Sequence, residues 1–116
     1  MVARCHSLRK VPLEKLSAGD CRVLLTQGIG TEYLVPLALV FVEARPLLEG
    51  DYYPGDLLLA LLGVEESYWA KHKVLRSRLI SVATQANTSL AELSDPSGSD
   101  QKLMKEVNAF LSRAAA

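Results

Sequence analysis

The stretch Glu32–Ala44, EYLVPLALVFVEA, constrains the fold more than any other part of this chain. It is apolar on every side of a helical wheel, and an element of that kind is buried all round. Its periodicity alone leaves two readings open, a buried helix or a buried strand over residues 33–42. Pro36 disfavours both in their middles, but a helix tolerates proline near its first turn. Composition then leans towards the helix. Of 116 residues, 21 are Leu and two are Ile, and seven are aromatic, so good helix formers dominate. The expectation is an all-α fold, a compact bundle of about five to six short helices around a central buried one.

Other helix signals flank this segment. Ser17-Ala-Gly-Asp20 has the Ser-x-x-acid form of a helix start, and Gly28 is the natural stop. Leu8 to Leu16 has apolar residues enough for a helical turn, behind a loose leader over residues 1–7. Arg45-Pro46 ends the central element, because the residue before a proline disfavours helix. Leu47–Gly55 reads as a loop, and Pro54-Gly55-Asp56 as a turn that launches a short Leu-rich helix to Leu62. Glu65-Glu66-Ser67 opens the next helix, where acids suit the positive end of the dipole. Leu75, Leu79, Val82, Ala86, Leu90 and Leu93 then mark one face of a long helix, with a break expected near Asn87-Thr88-Ser89. Residues 1–94 read as a core domain, 95–100 as a flexible linker and 101–116 as an amphipathic C-terminal helix.

Charge and motifs exclude several functions. Thirteen basic and 13 acidic residues balance to zero, whereas a general nucleic-acid binder needs a basic excess. The longest uncharged apolar run, residues 33–42, is about half a membrane span. No signal peptide is visible, so a cytoplasmic protein with reduced thiols is expected. Cys5 and Cys21 lack the spacing of a metal knuckle or redox pair. His6 and His72 have no partner at useful spacing, and Cys21 reads as a small core residue. There is no nucleophile elbow, phosphate loop or metalloprotease motif, so no catalytic residue, metal or cofactor is expected. Trp69 reads as a packing residue.

Two regions stand out by charge. Between Pro46 and Ala70 there are five acids (Glu49, Asp51, Asp56, Glu65, Glu66) and no base. Lys71 to Arg78 then carries four bases and no acid. Helix-terminus electrostatics account for part of this pattern. The acids also lie beside Tyr52, Tyr53 and Tyr68, and aromatics with a charged rim are what protein recognition uses.

Three phrases carry a resemblance: Gln27-Gly-Ile-Gly-Thr-Glu-Tyr-Leu-Val-Pro-Leu-Ala38, Gly50-Asp-Tyr-Tyr-Pro-Gly-Asp-Leu-Leu-Leu-Ala60 and Glu66-Ser-Tyr-Trp-Ala-Lys-His72. In this order and spacing, from about Leu8 to Thr84, they resemble the immunity proteins of bacterial contact-dependent growth inhibition (CDI) systems. The resemblance implies a cytoplasmic protein that binds the toxic C-terminal domain of a delivered effector, frequently a nuclease. It implies no enzyme, no cofactor and no direct contact with nucleic acid or membrane. The phrases themselves read as scaffold and transfer no binding residue. The surface expected to meet a basic toxin comes from the charge pattern: Glu49, Asp51, Tyr52, Tyr53, Asp56, Glu65 and Glu66. A monomer in a one-to-one complex is expected. The alternative is a helical adaptor with some other protein partner.

Overall fold

A computed structural model describes residues 11–115. Among them the chain forms one 3-10 turn, Leu13–Lys15, and six α-helices. These are α1 (Ala18–Thr26), α2 (Thr31–Ala44), α3 (Asp56–Leu62), α4 (Glu66–Lys71), α5 (Lys73–Ala91) and α6 (Gly98–Ala115). No strand occurs among the described residues, where the sole pairing of that type is an isolated bridge between Glu49 and Pro54. The leader with Cys5 and His6, and Leu8, lie outside the described residues.

Helix α1 starts as its sequence predicts. Ser17 Oγ accepts from the Asp20 amide at 3.1 Å, and Asp20 Oδ2 accepts from the Ser17 amide at 3.0 Å. That reciprocal pair satisfies two of the amides that a helix start leaves open. At the other end, Ile29 N donates to Leu24 O at 2.9 Å and Gly28 N to Leu25 O at 3.0 Å. This closure needs a left-handed residue after the cap, and Gly28 supplies it at φ 68°. Gly30, at φ 65°, repeats the conformation and starts α2. Four residues, 27–30, thus suffice to join two helices that pack on each other.

The apolar segment is a helix and it is central. Leu34, Val35, Ala38, Leu39 and Val42 are buried, and α2 packs against α1, α3 and α5. It is not covered all round, however. Tyr33 and Val40, two turns apart, are 65% and 58% exposed. Its neighbours cover the other faces and leave this strip outside. Pro36 sits in the second turn, where it removes the amide that would bond to the Glu32 carbonyl.

The long helix breaks at His72 and runs unbroken through Asn87-Thr88-Ser89. Neither proline nor glycine marks the break, so packing sets it. The short α4 delivers Trp69, fully buried, edge-on to Phe110 of α6 with ring centroids 6.4 Å apart. On α5, Leu79, Val82, Ala86 and Leu90 form the expected buried face, while Leu93 lies beyond the helix end and is exposed. Helix α6 begins at Gly98, inside the stretch that reads as a linker. Ser97 and Asp100 repeat the Ser17–Asp20 arrangement, at 2.9 and 3.1 Å. Leu103, Val107 and Phe110 of α6 belong to the same apolar core as α1, α2, α3 and α5.

Candidate functional site

The loop between α2 and α3 is organised from behind by one carboxylate. Asp56, the first residue of α3, is 3% exposed. Its Oδ1 accepts from the Gly50 amide at 2.6 Å, and its Oδ2 accepts from the Asp51 and Tyr52 amides, each at 2.9 Å. Three consecutive backbone donors converging on one buried carboxylate fix the path of residues 50–52. Gly55, at φ 88°, allows the chain to turn into α3, and a Cβ there would collide with Leu103 of α6. The loop is therefore pinned to the C-terminal helix as well.

A buried arginine completes the arrangement. Arg22, 7% exposed, sits between Cys21 and Val23 on α1. Its Nε donates to Asp51 Oδ2 at 3.0 Å. Nη2 lies 2.9 Å from the same oxygen but off hydrogen-bond geometry, so that contact is ionic. Asp56 Oδ2 is 3.9 Å from Nε, and the guanidinium carbon stands 4.6 Å from the Tyr52 ring centroid. One cation thus serves two carboxylates and an aromatic face, which keeps its burial tolerable. Tyr52 remains 67% exposed on the outer side.

The seven residues expected to form one surface divide by direction. Glu49 and Tyr52 are exposed and Tyr53 is half-buried, all on the loop. Asp51 is partly buried against Arg22, and Asp56 faces inward. Glu65 is exposed and accepts a long bond from Ser67 Oγ at 3.4 Å. Glu66 turns the other way, 3.9 Å from Arg76 and 3.7 Å from Arg113. Half of the basic stretch is similarly engaged. Besides Arg76, Arg78 makes a bidentate pair with Glu43 of α2, at 2.9 and 2.6 Å. This pairing holds the Glu43 carboxyl below its ordinary range and raises the arginine.

A trough joins the loop to the start of α4. One recess, of about 280 Å³, is lined by Arg22, Tyr52, Tyr53 and Asp56 together with α3. A larger one, of about 600 Å³, lies between the Gly28 turn with the first turn of α2 and the α3–α4 turn with α4. The two share Leu25, Thr26 and Gly63 as walls and so adjoin one another. Glu32, Glu65, Tyr68, Lys71 and His72 line the larger recess. The Tyr68 ring lies over His72 with centroids 4.2 Å apart, and its hydroxyl has no hydrogen-bond partner. Burial, followed by the Glu32 charge, raises the Tyr68 hydroxyl above its ordinary range. Sequence reasoning did not select Arg22 or Glu32. The signal for Arg22 was a lone charge inside an apolar helix face; Glu32 carried none, since its relation to Glu65 exists only in the folded chain.

Cys21 is buried, and its thiol is pushed up to about 11 by that burial and by the nearby Asp20 charge. Such a thiol is inert at neutral pH. Among the described residues no group of three or more His, Cys, Asp and Glu side chains could hold a metal ion. No helix among the described residues is long and apolar enough to cross a membrane.

In comparison with known protein families, the family model of CDI immunity proteins fits residues 1–79. That span takes in α1 to α4 and the start of α5, and so includes the loop, Arg22 and the whole trough. No curated protein matches the chain.

Proposed function

Because this chain belongs to the CDI immunity proteins, which neutralise the toxin of their own system, we propose that it does so by forming a tight one-to-one complex with the toxin's C-terminal domain. The toxin is a basic nuclease, and the complex forms in the cytoplasm without any catalytic step by the inhibitor. The binding face is centred on the α2–α3 loop, with Glu49, Tyr52 and Tyr53 presented outward and Glu65 across the trough. Asp51 and Asp56 act from within the loop, and Glu66 forms the outer margin.

The observation that carries this reading is the rigid loop. Asp56 and Arg22 fix its backbone before any partner arrives, so little conformational freedom remains to be lost on binding. A pre-formed platform with an exposed tyrosine beside unpaired acids combines an aromatic anchor with a charged rim. Acidic side chains would meet the groups with which a nuclease holds phosphates and would speed the encounter.

The test is co-expression with the toxin domain encoded beside this chain, scored by growth and by co-purification. Rescue of growth with a stable equimolar complex is expected, and charge reversal at Glu49 with Tyr52→Ala should weaken both. A toxin that stays lethal and never co-purifies with the chain would refute the reading.

A further inference from the structure

The trough and the loop carry different chemistry, and the difference points to what enters the trough. Four other carboxylates have cationic partners: Glu43 has Arg78, Glu66 has Arg76 and Arg113, and Asp51 and Asp56 have Arg22. Glu32 and Glu65, on opposite walls of the larger recess, make no ion pair among the described residues. They come from separate segments, the first turn of α2 and the residue before α4. Two unneutralised carboxylates facing one concavity repel each other, and a cation between them removes that cost.

The walls suit a side chain that is long and positively charged. The recess of about 600 Å³ lies within the range of pockets that enclose ligands. On one side the Gly28 turn offers bare backbone: a Cβ at that position would meet nothing within 4 Å. A partner's main chain can therefore come close while its side chain reaches inward. On the other side stands Tyr68, whose ring already carries the His72 imidazole over one face, so an aromatic side chain forms part of that wall. Lys71 at the end of α4 and His72 stand on the same wall, and Lys71 makes no ion pair among the described residues. A cation is therefore held towards Glu32 and Glu65, and Lys71 calls for an acceptor next to it on the partner.

We propose that the trough seats one lysine or arginine side chain of the toxin between the carboxylates of Glu32 and Glu65, with the Tyr68 ring as its wall. The proposal rests on the toxin-binding reading above and extends it to a residue, Glu32, outside the acidic segment. Glu32 and Glu65 then set specificity: a toxin without a cation at that position leaves two carboxylates desolvated and unpaired.

The experiment compares the full chain with its Glu32→Gln/Glu65→Gln double variant, using Glu92→Gln, at the residue that caps the far end of α5, as control. Association and dissociation with the cognate toxin domain are measured at several salt concentrations. Trp69 emission serves as the check on folding, since this is the sole tryptophan and it is buried. The double variant should bind about 10- to 100-fold more weakly, with a shallower dependence of the association rate on salt, and the control should match the parent. Double-variant affinity within twofold of the parent would overturn the trough proposal and leave the toxin-binding reading standing. Absence of binding by the parent chain would overturn both.

Discussion

Replacing Asp56 by Asn tests how the loop is held, because the substitution keeps the shape and removes charge and one acceptor. Asp56 Oδ2 receives two amides and Oδ1 one. An asparagine fits best with its single oxygen at the Oδ2 position, which keeps the Asp51 and Tyr52 amides bonded. Its NH₂ group then confronts the Gly50 amide, donor against donor, where the native contact is 2.6 Å. Leaving that amide unsatisfied costs about 1–3 kcal/mol. The two surviving bonds lose their charge assistance, about another 1 kcal/mol together. Arg22 loses a carboxylate 3.9 Å away but keeps Asp51, so little is added there.

The total is about 3 kcal/mol, a large share of the roughly 5–15 kcal/mol that holds a domain together. Urea unfolding followed by Trp69 fluorescence should show that loss with an unchanged denaturant slope. Hydrogen exchange should accelerate at Gly50 before other loop amides. An Asp56→Asn chain within about 0.5 kcal/mol of the parent, with its Gly50 amide still protected, would refute the account of the loop.

The Glu43–Arg78 pair gives a pH signature. Its side chains are 40% and 32% exposed, so Arg78→Ala should cost no more than about 1 kcal/mol at pH 7. Because the arginine depresses the folded-state pKa of Glu43, its contribution is present above the ordinary value of 4.5 and fades as pH falls through the depressed one. Melts of parent and variant should therefore converge in acid; a gap constant down to pH 3 would mean lost packing instead. For Cys21, a Cys5→Ser chain isolates the buried thiol. With its pKa near 11, thiolate at pH 8 is about a thousandth of the total, so alkylation should run a few hundredfold slower than in urea. Equal rates folded and unfolded would show the thiol to be open.

Much of the fold was legible because its signals are local. Ser17-x-x-Asp20 and Gly28 bracket α1, and Pro54-Gly55-Asp56 launches α3. The same Ser-x-x-Asp signal at Ser97 and Asp100 is just as plain, but the surrounding Pro, Ser and Gly residues read as a linker and concealed it. The break at His72 left no local mark, since it follows from where Trp69 must go to meet Phe110. The exposed strip of α2 was invisible for a related reason. A segment apolar on all sides states that it can be buried everywhere, not that enough neighbours exist to do so.

The candidate site shows the same limit in its charges. A run of acids along a chain fixes their number but not their direction, and each carboxylate in this run ended up under different constraints. Asp56 begins a helix whose N-terminal side faces the loop, so its oxygens meet the amides there. Asp51 follows the loop inward to Arg22, and Glu66 lies on the side of α4 that meets Arg76 and Arg113. A carboxylate beside its own arginine presents a dipole to an approaching partner, whereas an unpaired one presents a whole charge. By that measure Glu32 and Glu65 each bring a whole negative charge to the trough and Lys71 a whole positive one, and only Glu65 of these acids belongs to the acidic segment. Asp51 and Asp56 act differently, by holding in place the backbone from which Glu49 and Tyr52 project.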